Sequence, residues 1–194
     1  SADGKCLIWD CNLGPDAGES QTETTTAPVL SLTGHDSSVT HCAFHPAGKH
    51  IITAGVDYSW RYWDLTSGKE LLLQDGHPSE CTSIAPHPDG SLLLSTDSSG
   101  YAFVWDLRSG KRILVLNGHA DKITSSCWHP NGYEAATASL DNMVRLWDIR
   151  SGKTTHVFQT SAECTDTAMY PDGNAVVATC LDGNAFLFDV RSYQ

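Results

Sequence analysis

Apolar and polar residues along this chain fall into short runs, each closed by turn-forming residues. The runs Val29-Leu30-Ser31-Leu32, Val39-Thr40-His41-Cys42-Ala43-Phe44, Ile51-Ile52-Thr53-Ala54 and Ser59-Trp60-Arg61-Tyr62-Trp63 predict four β-strands. His45-Pro46-Ala47-Gly48 separates the second from the third, Val56-Asp57-Tyr58 the third from the fourth, and Thr66-Ser67-Gly68-Lys69 leads onward. Pro breaks a strand because its ring fixes φ, and Gly and Asp because they accept turn geometry. The His-Pro turn recurs as His87-Pro88-Asp89-Gly90, His129-Pro130-Asn131-Gly132 and, altered, Tyr170-Pro171-Asp172-Gly173. No helical period runs through these segments.

The pattern repeats with a fixed step. Trp63-Asp64, Trp105-Asp106 and Trp147-Asp148 are 42 residues apart, and Phe188-Asp189 follows after 41. Gly34-His35, Gly76-His77 and Gly118-His119 keep the same step, each His standing 28 residues before its Trp. A period of this length with an early Gly-His and a late Trp-Asp resembles the WD40 repeat, which implies an all-β propeller with one four-stranded blade per period. On that reading residues 29–194 hold four repeats of one propeller, and residues 1–10 match only the end of a preceding blade. Residues 11–28, rich in Gly, Ser, Thr, Asp and Glu, read as a flexible inserted loop that stretches the Trp9-to-Trp63 interval to 54. About four and a half blades of a seven-bladed ring are then expected, since propellers run from about four to eight blades. A chain that starts inside a blade reads as a fragment, whose first and last sheets would present raw edges.

Charge narrows the partners. A formal net charge of -11 argues against wrapping nucleic acid, which takes a basic footprint, and favours a basic protein segment. The seven cysteines are scattered, odd in number and lack a C-x-x-C pair, so the expectation is buried free thiols in a reducing compartment. No apolar run reaches the ~20 residues of a membrane span, and no signal peptide is visible. No phosphate-cradling glycine loop is present, so no cofactor and no small-molecule substrate are expected. His45, His87 and His129 share a register but lie on separate blades, too far apart for one metal ion.

His35 with Asp57 looks at first like an acid/base pair. The WD40 resemblance implies a structural role instead, in which a turn Asp orients the His, a strand hydroxyl bridges it and the indole N–H closes the chain. His119, Ser139, Asp141 and Trp147 supply every member; His35, Asp57 and Trp63 form the set around a Gly55 in place of the hydroxyl. His77 and Trp105 form the next set, with Asp97 and Ser99 at its turn-side positions. The last unit has Thr160 for the His and Phe188 for the Trp, so its blade is expected to be the softest.

In a propeller the loops alternate between two faces, which sorts the charges. One face receives Asp36, Glu80, Asp97, Asp121, Glu163 and Asp166 against Lys122 alone, with Tyr58 at its rim as an aromatic anchor. This acidic face, with Asp36, Tyr58, Glu80, Asp97, Asp121 and Glu163, is the candidate for binding a basic partner. The opposite face is mixed and near neutral.

The strings Asp57-Tyr58-Ser59-Trp60-Arg61-Tyr62-Trp63-Asp64-Leu65, Val104-Trp105-Asp106-Leu107-Arg108-Ser109-Gly110 and Pro130-Asn131-Gly132-Tyr133-Glu134-Ala135-Ala136-Thr137 are similar to those of the WD-repeat subunits of the spliceosomal U4/U6 particle. The resemblance runs from about Val29 to Arg150. It implies a nuclear, non-catalytic scaffold that joins other proteins of a multi-subunit ribonucleoprotein during pre-mRNA splicing, with RNA association indirect. The degenerate last unit and the insert from Cys11 to Thr26 depart from that family. A second resemblance lies in Trp105-Asp106-Leu107-Arg108 and Trp147-Asp148-Ile149-Arg150, which are similar to the WDxR boxes by which substrate receptors dock on cullin-type ubiquitin ligase adaptors. That reading makes Arg108 and Arg150, on the opposite face, the docking residues. A third, from Asp189-Val190-Arg191, is a G-protein β-like signalling scaffold.

Overall fold

The computed structural model describes residues 1–10 and 28–191; nearly all of the expected inserted loop lies outside them. Among the described residues there are strands and no helix. β1 (Lys5–Ile8) pairs with β2 (Leu30–Thr33). The next antiparallel sheet is β3 (Val39–Phe44), β4 (His50–Gly55), β5 (Ser59–Asp64) and β6 (Glu70–Asp75). It is followed by β7 (Cys81–Pro86), β8 (Leu92–Asp97), β9 (Tyr101–Asp106) and β10 (Lys111–Asn117). The third is β11 (Ile123–Trp128), β12 (Glu134–Ser139), β13 (Met143–Asp148) and β14 (Lys153–Gln159). The last described sheet has three strands, β15 (Cys164–Met169), β16 (Ala175–Cys180) and β17 (Ala185–Asp189).

Each sheet is a meander, as short turns between antiparallel strands dictate. The first strands of the last four sheets, β3, β7, β11 and β15, stand side by side. The sequence repeat and the sheet are offset from one another. The strand ahead of each Gly-His closes the sheet before it, so Val29–Leu32 belongs with β1 as Leu30–Thr33 and not with the strands that follow His35. The sequence period therefore straddles two sheets and ties them covalently. Among the described residues three of the sheets have four strands.

The core lies between sheets and not within any one of them. Trp63 packs on Cys6 and Leu32 of the preceding sheet, Trp105 on Ile52, Ala54 and Trp60, and Trp147 on Leu94, Val104 and Leu116. A single blade cannot bury both faces, so stacking supplies the apolar burial that stabilises the array. The Gly of each Gly-His pair follows from this packing. A β-carbon on Gly34, Gly76 or Gly118 would come within 2.9, 2.9 and 3.1 Å of the tip of Trp63, Trp105 and Trp147.

The His-Pro turns add a polar tie between neighbours. The Nε2–H of His45 donates to the Gly90 carbonyl at 2.8 Å, that of His87 to Gly132 at 3.0 Å and that of His129 to Gly173 at 2.9 Å. Since a carbonyl only accepts, the proton sits on Nε2; in His45 and His129 Nδ1 is left to receive the backbone N–H of Ala47 and Asn131, whereas His87 Nδ1 also meets the Asp89 carboxylate at 2.6 Å. These histidines are blade-to-blade ties. The aspartates of the Trp-Asp pairs hold the next turn: Ser67 donates to Asp64 at 2.6 Å, and Ser109 and Ser151 to Asp106 and Asp148 at 2.9 Å.

Candidate interaction face

The buried polar network is built from one residue of each local element. His35 Nδ1–H donates to Asp57 at 2.9 Å, the Thr53 hydroxyl donates to His35 Nε2 at 2.7 Å, and the Trp63 indole N–H donates to that hydroxyl at 2.9 Å. Each polar atom of the chain Trp, Thr, His, Asp is used in one direction, which requires a neutral imidazole. The sheet β7–β10 repeats it with His77, Asp97, Ser95 and Trp105, at 3.0, 2.7 and 2.7 Å. The sheet β11–β14 does so with His119, Asp141, Thr137 and Trp147, at 2.8 Å for all three bonds. Burial holds the His35 and His119 imidazoles below their usual value, only partly offset by their aspartates. Burial alone would raise the Asp57 carboxyl, but hydrogen bonds from Ser59, His35 and the Asp36 amide leave it below the ordinary range.

Two expectations are corrected here. The bridging hydroxyl is not Ser139 but Thr137, two residues earlier on the same strand face, with Thr53 and Ser95 in the other sheets. Residues two apart in a strand share a face, so the pattern left both open, but only the mid-strand position lies against the indole. The Ser139 hydroxyl instead donates to the Asp121 carbonyl at 3.0 Å and accepts the Asp141 amide at 3.1 Å. With Thr53 in place, the first network is whole despite Gly55, and all three sets share the hydroxyl bridge from His to Trp. The signal was available, since Thr53, Ser95 and Thr137 keep the 42-residue step.

Asp97 is the second correction. It is fully buried against His77 and offers nothing to a partner. Its register is that of Gly55, two residues before Asp57. A β-carbon at Gly55 would come within 2.6 Å of His35 Nδ1, so a carboxylate from that position reaches the imidazole as readily as one from the turn.

The remaining acidic residues gather on one face. The amides of Val56, Ser98, Leu140 and Leu181 donate to the carbonyls of Ser38, Glu80, Lys122 and Glu163 at 2.9 to 3.0 Å. Each of these bonds joins a loop after Gly-His, or its Thr160 counterpart, to the turn between second and third strands of its sheet. Asp36, Asp121 and Glu163 are exposed there, Glu80 and Lys122 are half-buried, and the exposed Asp182 adds a carboxylate absent from the sequence-based set. Asp166 is also exposed and accepts the Ser125 hydroxyl at 2.6 Å. Tyr58 is 48% exposed with φ of 66°, in the left-handed region where Gly100 and Gly183 serve other sheets. A bulky residue there is held against its backbone preference.

The opposite face carries the other turns, tied by Leu65, Leu107, Ile149 and Val190 amides to the carbonyls of Lys49, Ser91, Tyr133 and Asn174. Arg108 and Arg150 are both exposed on it. The Arg150 guanidinium lies 3.7 Å over the Tyr133 ring, beside a cavity of about 460 Å³ that also involves His87 and Asp89. The expected buried thiols are corrected at two positions, because Cys42 is exposed and Cys127 is half-buried. Cys11 lies outside the described residues.

Small antiparallel sheets stacked through shared cores, with loops delivered to two faces, define a repeat propeller module, an architecture that is typically a non-catalytic scaffold for protein contacts. The family model "WD domain, G-beta repeat" matches residues 26–64, 68–106 and 110–148, and the chain belongs to the WD40 family. Among curated relatives, it is 43% identical over 44 residues to the U4/U6 small nuclear ribonucleoprotein PRP4 of Saccharomyces cerevisiae, covering 23% of this chain and 10% of the relative. It is 42% identical over 45 residues to the same yeast's Ribosome assembly protein 4, covering 23% and 9%. It is 45% identical over 40 residues to human WD repeat-containing protein 37, covering 21% and 8%. The matched stretch is thus a tenth or less of each relative's length. No helix of the described residues is long and apolar enough to cross a membrane.

Proposed function

We propose that this chain belongs to a nuclear, non-catalytic scaffold of a spliceosomal ribonucleoprotein of the U4/U6 type, and that its acidic face grips a basic segment of a partner protein. RNA association is then indirect. The observation that carries the reading is the one-sided face: exposed Asp36, Asp121, Glu163 and Asp182 against a half-buried Lys122, on a chain of net charge -11. Such a field steers and orients a cationic partner more than it adds raw affinity. Tyr58 supports the same face, because an exposed aromatic kept in a left-handed conformation has more to gain from contact than from the fold. Support for the particle comes from the 43% identity over 44 residues to the yeast U4/U6 protein, together with the resemblance of the strings around Trp63 and Trp105.

Native purification followed by protein and RNA identification tests the reading. U4/U6 proteins with their small nuclear RNAs are the expected companions, and the triple variant Asp36→Lys, Asp121→Lys, Glu163→Lys should weaken the protein contact roughly tenfold and flatten its salt dependence. Tyr58→Gly should weaken the same contact while leaving the fold as stable or more stable, by about 1 kcal/mol, since left-handed strain is relieved. Recovery of a cullin adaptor instead, lost on charge reversal of Arg108 and Arg150, would replace the proposal with ligase docking.

A further inference from the structure

In the three four-stranded sheets one couple of side chains spans the third and fourth strands, and one sheet leaves that couple unmade. Arg61, Phe103 and Arg145 stand opposite Thr53, Ser95 and Thr137, while Glu70, Arg112 and Thr154 stand opposite Trp63, Trp105 and Trp147. The first couple is an ion pair, in which Arg61 Nη1 donates to Glu70 at 2.6 Å. The second sets the Arg112 guanidinium 4.7 Å over the Phe103 ring. In the third, the Arg145 Nε is buried without a partner, and neither that side chain nor the Thr154 hydroxyl makes a hydrogen bond among the described residues. The Arg145 guanidinium is nevertheless in position. A β-carbon on Gly118 would come within 3.4 Å of its Nη1, as one on Gly34 would come within 2.9 Å of Arg61 Nη1. Beside Gly34 the Glu70 carboxylate follows at 3.3 Å, whereas the nearest atoms beside Gly118 are those of Trp147 and Arg145 alone. This side of β13 and β14 faces the four-stranded sheet β7–β10, on which Trp147 packs, so its neighbour is present.

We propose that Thr154 is a phosphorylation site whose phosphate completes the couple with Arg145. Phosphothreonine carries its terminal oxygens as many bonds from Cβ as glutamate does, and with more charge. It therefore reaches the place that the Glu70 carboxylate holds in the first sheet. A guanidinium suits this partner, because its rigid fork of N–H groups matches a phosphate and needs no rearrangement here. Access is available as well. β14 is the outer strand of its sheet, and Thr154 is half-buried near its start between exposed Lys153 and Thr155. Arg150 and Lys153 just ahead of it suit a protein kinase with an acidic substrate groove.

The co-reactant is ATP held by that kinase. The Thr154 hydroxyl oxygen attacks the γ-phosphorus, the bond from this phosphorus to the bridging oxygen breaks, and ADP leaves. The hydroxyl proton passes to the base of the kinase, and nothing is oxidised or reduced. A phosphatase reverses the change by delivering the phosphoryl group to water. The new ion pair holds β14 beside Gly118, on the connection that arrives from β10, and so fastens the seam between two sheets.

The test has two arms. Mass spectrometry of the protein isolated from its own cells with phosphatase inhibitors should find phosphate on Thr154; phosphate only on Ser151 or Thr155, or none in this segment, would overturn the proposal. In the second arm phosphothreonine is installed at this position of the intact protein and followed by phosphorus NMR. Its titration midpoint should lie below the ordinary ~6 and return there in Arg145→Ala. An ordinary midpoint with Arg145 in place removes the pairing and the proposal with it. Thr154→Glu should raise Tm by about 2 to 4 °C, less in high salt, and Thr154→Gln should not. That contrast decides the pairing even if Arg145→Ala folds poorly, and equal melting of the two variants counts against it.

Discussion

The neighbouring sheets β11–β14 and β15–β17 are built on one repeat and secured by opposite means. In the first, His119, Thr137, Asp141 and Trp147 form a closed run of hydrogen bonds beneath the acidic face. In the second, the equivalent positions hold Thr160, Ala178, Asp182 and Phe188. Thr160 turns its hydroxyl to the Ala162 carbonyl at 2.8 Å, Asp182 is exposed and receives the Ser161 hydroxyl, and Phe188 stacks on Phe158 with centroids 4.7 Å apart. Three members are lost together. A network with one member missing strands its buried neighbours, whereas replacing imidazole, hydroxyl and indole in concert leaves nothing unpaired. The difference teaches that the network is a unit, kept whole or exchanged whole for apolar packing.

The largest expected break of this comparison is Thr137→Val, which keeps the shape but strands the His119 and Trp147 nitrogens. It should cost about 3 kcal/mol in urea-induced unfolding, against about 1 kcal/mol for Thr160→Val in the last sheet. Equal costs would mean that the two sheets do not differ in the way described.

Acid should separate the sheets next. Because burial holds His35 and His119 below the usual 6.5, the unfolded chain takes up protons that the folded chain refuses, so stability is full above that value and falls as the pH drops below it. The lowered Asp57 and Asp141 carboxyls extend the loss to still lower pH. Hydrogen exchange corrected for intrinsic rate, followed from about pH 7 to 5, should show β3–β6 and β11–β14 losing protection. The sheet β15–β17, with no imidazole in its network position, should start less protected and change less. A uniform response across all sheets would count against this assignment.

The smallest effect sharpens the corrected hydroxyl. Ser139→Ala removes two bonds at the strand end without touching the indole and should cost about 1 kcal/mol by urea unfolding. A cost matching that of Thr137→Val would restore Ser139 to the centre of the network.

Much of this was legible in the sequence. The 42-residue step located the strands around Trp63, Trp105 and Trp147, and the His-Pro-x-Gly strings marked their turns. The partners of those turns were not legible, because His45 meets Gly90 only once blades stack. Nor was the choice between Thr137 and Ser139, since alternation puts both on one strand face. Asp97 looked like a surface charge because turn position alone was read, and the register across β7 and β8 draws it inward.

By itself the sequence determined the all-β repeat, the phase of its markers and the sign of the charge on each set of loops. These follow from local rules of alternation, turn chemistry and period, which act within a few residues. Tertiary structure alone decided which strand completes which sheet, which hydroxyl bridges His to Trp, and which carboxylates and thiols face solvent. Those outcomes depend on contacts between segments from 10 to 41 residues apart, where burial and pairing select among positions that local pattern leaves equivalent.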